Sequence, residues 1–165
     1  MRSIYLDHAA TTPIDARALA AMSEQAAALG NPSSLHTHGR ATRKTLEDAR
    51  EILAKEIGCL PSEIIFTASG TEANNIALKG LYWAGRVKGK NIVVISSIEH
   101  HAILDPAHWL ATQEAAEVIE ISVNHNGTID LEFLANLIEK RGNEIAVISV
   151  MHSNNESGVL QPISE

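Results

Sequence analysis

The sequence predicts an α/β fold: a parallel-rich sheet with flanking helices. Three observations predict it. Four short runs rich in valine and isoleucine, at Ile64–Thr67, Ile92–Ser96, Val118–Val123 and Ile145–Met151, have strand character. Helical patterns separate them, over Glu72–Ala84, roughly Ala107–Gln113, and Leu131–Arg141. Strands alternating with helices imply right-handed crossovers and a sheet covered on both faces. Finally, three polar clusters follow apolar runs: Thr67–Asn75, Glu99-His100-His101 and His152–Glu156. Ligands of such sheets sit beyond the carboxyl ends of the strands, so clusters converging there point to a site.

The elements follow in order. Residues 1–12 read as an irregular arm. Thr12-Pro13 predicts an N-cap with proline at the first helical position. Ile14, Ala18, Met22, Ala26 and Leu29 then form a helical stripe that Gly30 ends. After the loop Asn31-Pro32-Ser33-Ser34, a second helix runs from about Arg40 to Ile57, with Leu46, Ala49, Leu53 and Ile57 as its buried face and Gly58 as its stop. In the last helix Asp130 is the N-cap, and Leu131, Leu134, Leu137 and Ile138 face inward. Asn124-His125-Asn126-Gly127 is the polar turn before it, and Val159–Glu165 reads as a loop entering a further helix.

Bulk properties narrow the class. A chain of 165 residues, 45% hydrophobic, can bury a real core. A formal net charge of -7 gives a nucleic-acid role no electrostatic footprint. The single cysteine, Cys59, excludes an internal disulfide framework and fits a reducing, cytoplasmic setting. No apolar run is long enough to span a membrane as a helix, and the first residues carry no apolar leader core.

Each cluster has a chemical reading and a plain one. Ser69-Gly70-Thr71 opens a helix, where unpaired N–H groups and the helix dipole suit a phosphate. Equally, Ser69 and Glu72 suit simple capping. The Gly-Lys-Ser/Thr of a nucleotide P-loop and the spaced glycines of a dinucleotide fingerprint are missing. His100 carries an imidazole able to move protons or lie against an aromatic ring, and it can also be a helix-start histidine with one backbone hydrogen bond. Adjacent histidines on a helix point about 100° apart, and no Cys/His set with zinc spacing accompanies them, so no metal is expected. Asn154-Asn155-Glu156-Ser157-Gly158 can hold an oxygen-rich ligand or form a turn. Cys59 has no electropositive surroundings and is not read as a nucleophile.

Together the motifs resemble the class V, fold-type I pyridoxal-phosphate enzymes, and among them the cysteine desulfurases of the iron–sulfur assembly (NifS/IscS-like) type. The likeness is carried by Tyr5–Pro13, Asn31–Ser34 with His38-Gly39, Phe66–Asn75, Glu99–Leu104 and Met151–Gly158. It implies that residues 1–165 are the arm and an incomplete large, cofactor-binding domain. It implies pyridoxal 5'-phosphate as cofactor, with Gly70 and Thr71 at its phosphate, His100 against its ring as the catalytic imidazole, and Asn155 at a ring-side oxygen or the bound amino acid. The reaction implied converts L-cysteine to L-alanine and leaves sulfur as an enzyme persulfide, with the cofactor as electron sink. A homodimer and a sulfur-acceptor or scaffold protein are implied as partners. His8 stands where the family commonly has Asn. The family's pyridine-nitrogen aspartate, cofactor lysine and loop cysteine have no counterpart in these residues, so the 165 residues alone are expected to be inactive. Another class V transaminase or lyase, and a non-catalytic binding module, are the alternatives.

Overall fold

The computed structural model describes residues 4–164, and the chain divides into two compact units, Met1–Phe66 and Thr67–Glu165. The first three residues of the expected arm lie outside the described residues.

In the first unit, helix α1 spans Ala16–Ala27 and starts later than Thr12-Pro13 predicts. Asp15 is the true cap: its carboxylate accepts the Arg17 N–H at 2.8 Å and the Arg17 guanidinium at 3.0 Å. A carboxylate at the positive end of the helix outcompetes a hydroxyl three residues earlier. The helix also ends before Gly30, and none of its residues is buried, so the predicted stripe is uncovered, with Met22 60% exposed. Helix α2 spans Thr37–Ile57, three residues longer at its start than expected, because His36 Nδ1 accepts the Gly39 N–H. Gly58 ends it in the left-handed conformation, φ 74°, as the sequence predicts. Its buried positions are Gly39 and Ala54, not Leu46, Ala49, Leu53 and Ile57, which are exposed. Gly39 is required there, since a Cβ would stand 2.3 Å from the Ser34 carbonyl oxygen.

The predicted strand at Ile64–Thr67 does not form. The Ile64 carbonyl accepts a hydrogen bond from the Arg50 guanidinium, which also lies 5.0 Å from the Phe66 ring centre and 3.2 Å from Glu47. The segment is thus extended chain held by one arginine, and Ile65 and Phe66 stay largely exposed for want of a strand neighbour.

The second unit is the predicted layered structure. Strands β1 (Ile92–Ser96), β2 (Glu117–Ile121) and β3 (Ile145–Ser149) form a parallel sheet in the order β2-β1-β3. Register runs from Ile92↔Glu117 to Ser96↔Ile121 on one side and ends at Ile95↔Ser149 on the other. Helices α3 (Gly70–Arg86), α4 (His101–Glu114) and α5 (Leu131–Arg141) cover it. The central strand is buried throughout, and its period of two assigns each side chain to a face. Val93 and Ile95 pack with Leu78 and Tyr82 of α3 and Ile103, Ala107 and Leu110 of α4. Ile92 and Val94 pack on the other face with Ile121, Ile129 and Ile145, against Leu131, Leu134 and Leu137 of α5. Ile138 turns outward instead, 46% exposed, because it lies about 100° around the helix from Leu137.

Several polar ties fix this unit. The Tyr82 hydroxyl, on a fully buried ring, donates to Asn91 Oδ1 at 2.9 Å and accepts from Arg86 at 3.0 Å. Arg141 grips Glu117 with two hydrogen bonds of 2.6 and 2.7 Å and Glu144 at 2.9 Å. That grip holds the Glu117 and Glu144 carboxyls below their ordinary range. Helix α3 approaches β3 so closely at Gly85 that a Cβ there would lie 2.7 Å from the Ala146 Cβ. Helix α4 begins well before the predicted Ala107, with Pro106 inside it. Strands β2 and β3 each end two residues short of prediction. Val123 instead makes an isolated antiparallel bridge to Ile129 around the expected turn, where Gly127 has φ 81°.

Candidate functional site

Helix α3 starts with a reciprocal cap. Ser69 Oγ accepts the Glu72 N–H at 3.1 Å, and the Glu72 carboxylate accepts the Ala68 N–H at 2.6 Å. This satisfies the plain reading of Ser69 and Glu72, and it also turns the Glu72 charge back toward Ala68. Among the described residues, the N–H groups of Gly70 and Thr71 and the Thr71 hydroxyl have no hydrogen-bond partner. Space is open where a Gly70 Cβ would project. These donors at the positive end of a 17-residue helix fit a phosphate.

His100 is the N-cap of α4, its Nδ1 accepting the Ala102 N–H at 3.0 Å. The plain reading of His100 is therefore correct as well. It has a chemical consequence: with Nδ1 engaged as an acceptor, the neutral ring carries its proton on Nε2. The cap so fixes both tautomer and ring orientation.

Two hollows meet at this residue. One, of about 340 Å³, lies between α3 and α4 and is lined by Thr71, Asn75 and Lys79 on one side and by His100, His101, Ala102, Asp105, Pro106 and Trp109 on the other. The Lys79 ammonium lies 4.1 Å from the Trp109 ring centre. The other, of about 430 Å³, lies beyond the carboxyl ends of the strands and is lined by Ile98–His101, Gly127 and Asn154–Ser157. His100 borders both, so Thr71 shares a hollow with it on one side and Asn155 on the other. Thr71 and Asn155 do not line the same hollow.

Sequence reasoning did not single out Lys79, Asp105 and Trp109 as contributors to the hollow between α3 and α4. Thr71, Asn75 and Lys79 share one face of α3 at steps of four, and His101, Asp105 and Trp109 do so on α4; that periodicity was the available signal. Glu99 is 7% exposed, and its carboxylate accepts the Met151 N–H at 2.5 Å. Burial pushes this carboxyl up from its ordinary value, and the Met151 hydrogen bond pulls the other way. Asn154 donates to the Ile98 carbonyl at 3.1 Å, and its Oδ1 accepts the Glu156 and Ser157 N–H groups at 3.0 and 2.8 Å. Gln161, 4% exposed, supports the same loops by accepting the Ile129 N–H and donating to the Gly127 carbonyl.

The Aminotransferase class-V family model matches residues 4–165. The chain belongs to this family. Class V enzymes use pyridoxal phosphate. The chain is 44% identical over 163 residues to an IscS-like cysteine desulfurase of Mycobacterium tuberculosis, covering 98% of this chain and 41% of that relative. It is also 44% identical to the cysteine desulfurase IscS of Dictyoglomus turgidum over 165 residues, 99% of this chain and 41% of the relative. Among solved structures, a NifS-like protein superposes with a TM-score of 0.89 at 35% identity, over 97% of this chain and 43% of the other. SspA in complex with cysteine superposes at 0.87 with 34% identity, over 98% and 45%. This class V chain thus spans about two-fifths of the length of these relatives.

Proposed function

We propose that this class V chain forms the cofactor-holding part of a cysteine desulfurase that delivers sulfur for iron–sulfur cluster assembly, with L-cysteine as substrate. The observation that carries the reading is the position of His100 between the α3 hollow and the strand-end hollow, in a chain 44% identical to desulfurases. Residues 1–165 are then the arm and the first part of the large domain of a cytoplasmic homodimer with a sulfur acceptor or scaffold protein as partner.

Each residue has a stated task. The N–H groups of Gly70 and Thr71 and the Thr71 hydroxyl hold the phosphate of pyridoxal 5'-phosphate, aided by the α3 dipole. When bound, that cofactor supplies an electron sink for carbon–sulfur cleavage. His100 presents one face of its imidazole to the ring and offers the Nε2 proton, since the cap occupies Nδ1. Asn155 offers a carboxamide, in the strand-end hollow it shares with His100, to a ring-side oxygen or to the substrate amino acid. Cys59, the sole thiol, hydrogen-bonds the Leu60 carbonyl at the end of α2 and has no part in the reaction. The 165 residues therefore bind cofactor without turning over cysteine. The test is titration with pyridoxal phosphate followed by absorbance and induced circular dichroism, beside a sulfide-release assay. A chain with no saturable cofactor signal, or one releasing sulfide well above free cofactor, refutes the reading.

A further inference from the structure

We propose that Glu99 is a positioning residue: with Asn154 it locks the turn that presents Asn155 to the turn that presents His100. This rests on the reading of His100 and Asn155 as cofactor contacts. The sheet ladder between β1 and β3 stops at Ile95↔Ser149. Beyond that point the two strands diverge into loops, and two side chains continue the pairing in opposite directions. Glu99, from the β1 side, takes the Met151 N–H across 52 residues of chain. Asn154, from the β3 side, returns a hydrogen bond to the Ile98 carbonyl. Each anchor immediately precedes a residue of the site, Glu99 before His100 and Asn154 before Asn155.

Burial and geometry distinguish Glu99 from a solvated charge. A carboxyl withdrawn from water is destabilising unless a partner compensates it, and here the partner is a backbone donor with no ladder neighbour left. His100 and His101 beside it stay exposed. Asn154 gathers the other end, its Oδ1 also accepting the Ser157 hydroxyl at 3.0 Å, so the loop carrying Asn155 is shaped by its own neighbour. The clamp fixes the opening of the strand-end hollow before any ligand enters, the arrangement that preorganised sites require.

The experiment compares Glu99→Gln with Glu99→Ala in the whole chain. Gln keeps an acceptor for the Met151 N–H, and Ala does not. Amide hydrogen exchange is read first, without ligand. In Glu99→Ala, exchange at residues 151–157 rises about tenfold or more while Val93 and Val94 stay protected; in Glu99→Gln it stays within about threefold of the unsubstituted chain. The dissociation constant of pyridoxal phosphate is read second. Glu99→Ala weakens it about tenfold in a Thr71→Ala background and leaves it unchanged in an Asn155→Ala background, because the loss runs through Asn155. Unaltered exchange in Glu99→Ala, loosening spread evenly over the sheet, failure of Gln to rescue, or equal losses in both backgrounds overturns the proposal. A parent chain that does not bind pyridoxal phosphate overturns the proposed function instead, and the exchange pattern alone then decides the clamp.

Discussion

Replacing His100 in two ways separates its two duties. His100→Ala removes both the Nδ1 acceptor that caps α4 and the imidazole face. His100→Asn keeps a capping acceptor of short reach and removes only the ring. Loss of an N-cap costs about 1 kcal/mol, in a range of about 0.5–2. In a unit of about 100 residues, 1 kcal/mol moves the melting temperature by about 4–8 °C. His100→Ala should therefore melt about 4–8 °C lower than the parent, and His100→Asn within about 2 °C of it. An aromatic contact is worth about 0.5–1.5 kcal/mol beyond area burial, so both variants should bind pyridoxal phosphate about two- to tenfold more weakly. Calorimetry supplies the first comparison and a cofactor titration the second. Equal melting of Ala, Asn and parent chains would refute the capping account. Parent-like affinity in His100→Asn would remove the ring from the site.

Other substitutions probe the remaining parts. Thr71→Ala should weaken pyridoxal-phosphate binding about tenfold with little change in melting, since its hydroxyl makes no hydrogen bond among the described residues; equal affinity would leave the α3 terminus a plain cap. Leu78→Ala, at a position 2% exposed in the α3–α4 core, should cost about 2–5 kcal/mol in denaturant unfolding, and a loss below about 1 kcal/mol would show that the core collapses around the gap. Arg141→Gln should be least stable, relative to the parent, near neutral pH. Glu117 and Glu144 are held below their ordinary 4.5 by Arg141, so their contribution is present above that value and fades as pH falls through the depressed values. Melting curves of both chains between about pH 7 and about pH 3 should converge at the acid end, and a constant gap would remove the clasp as the cause.

What was legible in the sequence is the second unit. The Val/Ile runs of β1, β2 and β3 and the stripe Leu131, Leu134, Leu137 are signals of burial, and this unit supplies the layers that bury them. The same kind of stripe in α1 and α2 misled, because periodicity records a capacity to be covered and not the covering itself. Ile64–Thr67 has strand composition, yet a strand exists only where a neighbour completes its hydrogen bonds, and Arg50 provides a single one. His100 was visible as a helix cap, and the structure makes it one. Glu99 and Asn154 stood in the named clusters, but their pairings were hidden because the partners lie more than 50 residues away, which spacing does not encode. The start of α4 was obscured by Pro106, whose missing N–H normally marks a boundary.

The contact between Gly85 and Ala146 reaches farther than its size suggests. Helix α3 behaves as a rod with this hydrogen-only bearing near one end and Thr71 near the other, about 20 Å away at 1.5 Å per residue. A single methyl at position 85 has no room at 2.7 Å and must prise the rod from the strand. Pivoted that way, the far tip swings relative to His100, so the smallest side chain in the α3–β3 seam sets the opening of the α3–α4 hollow it never lines.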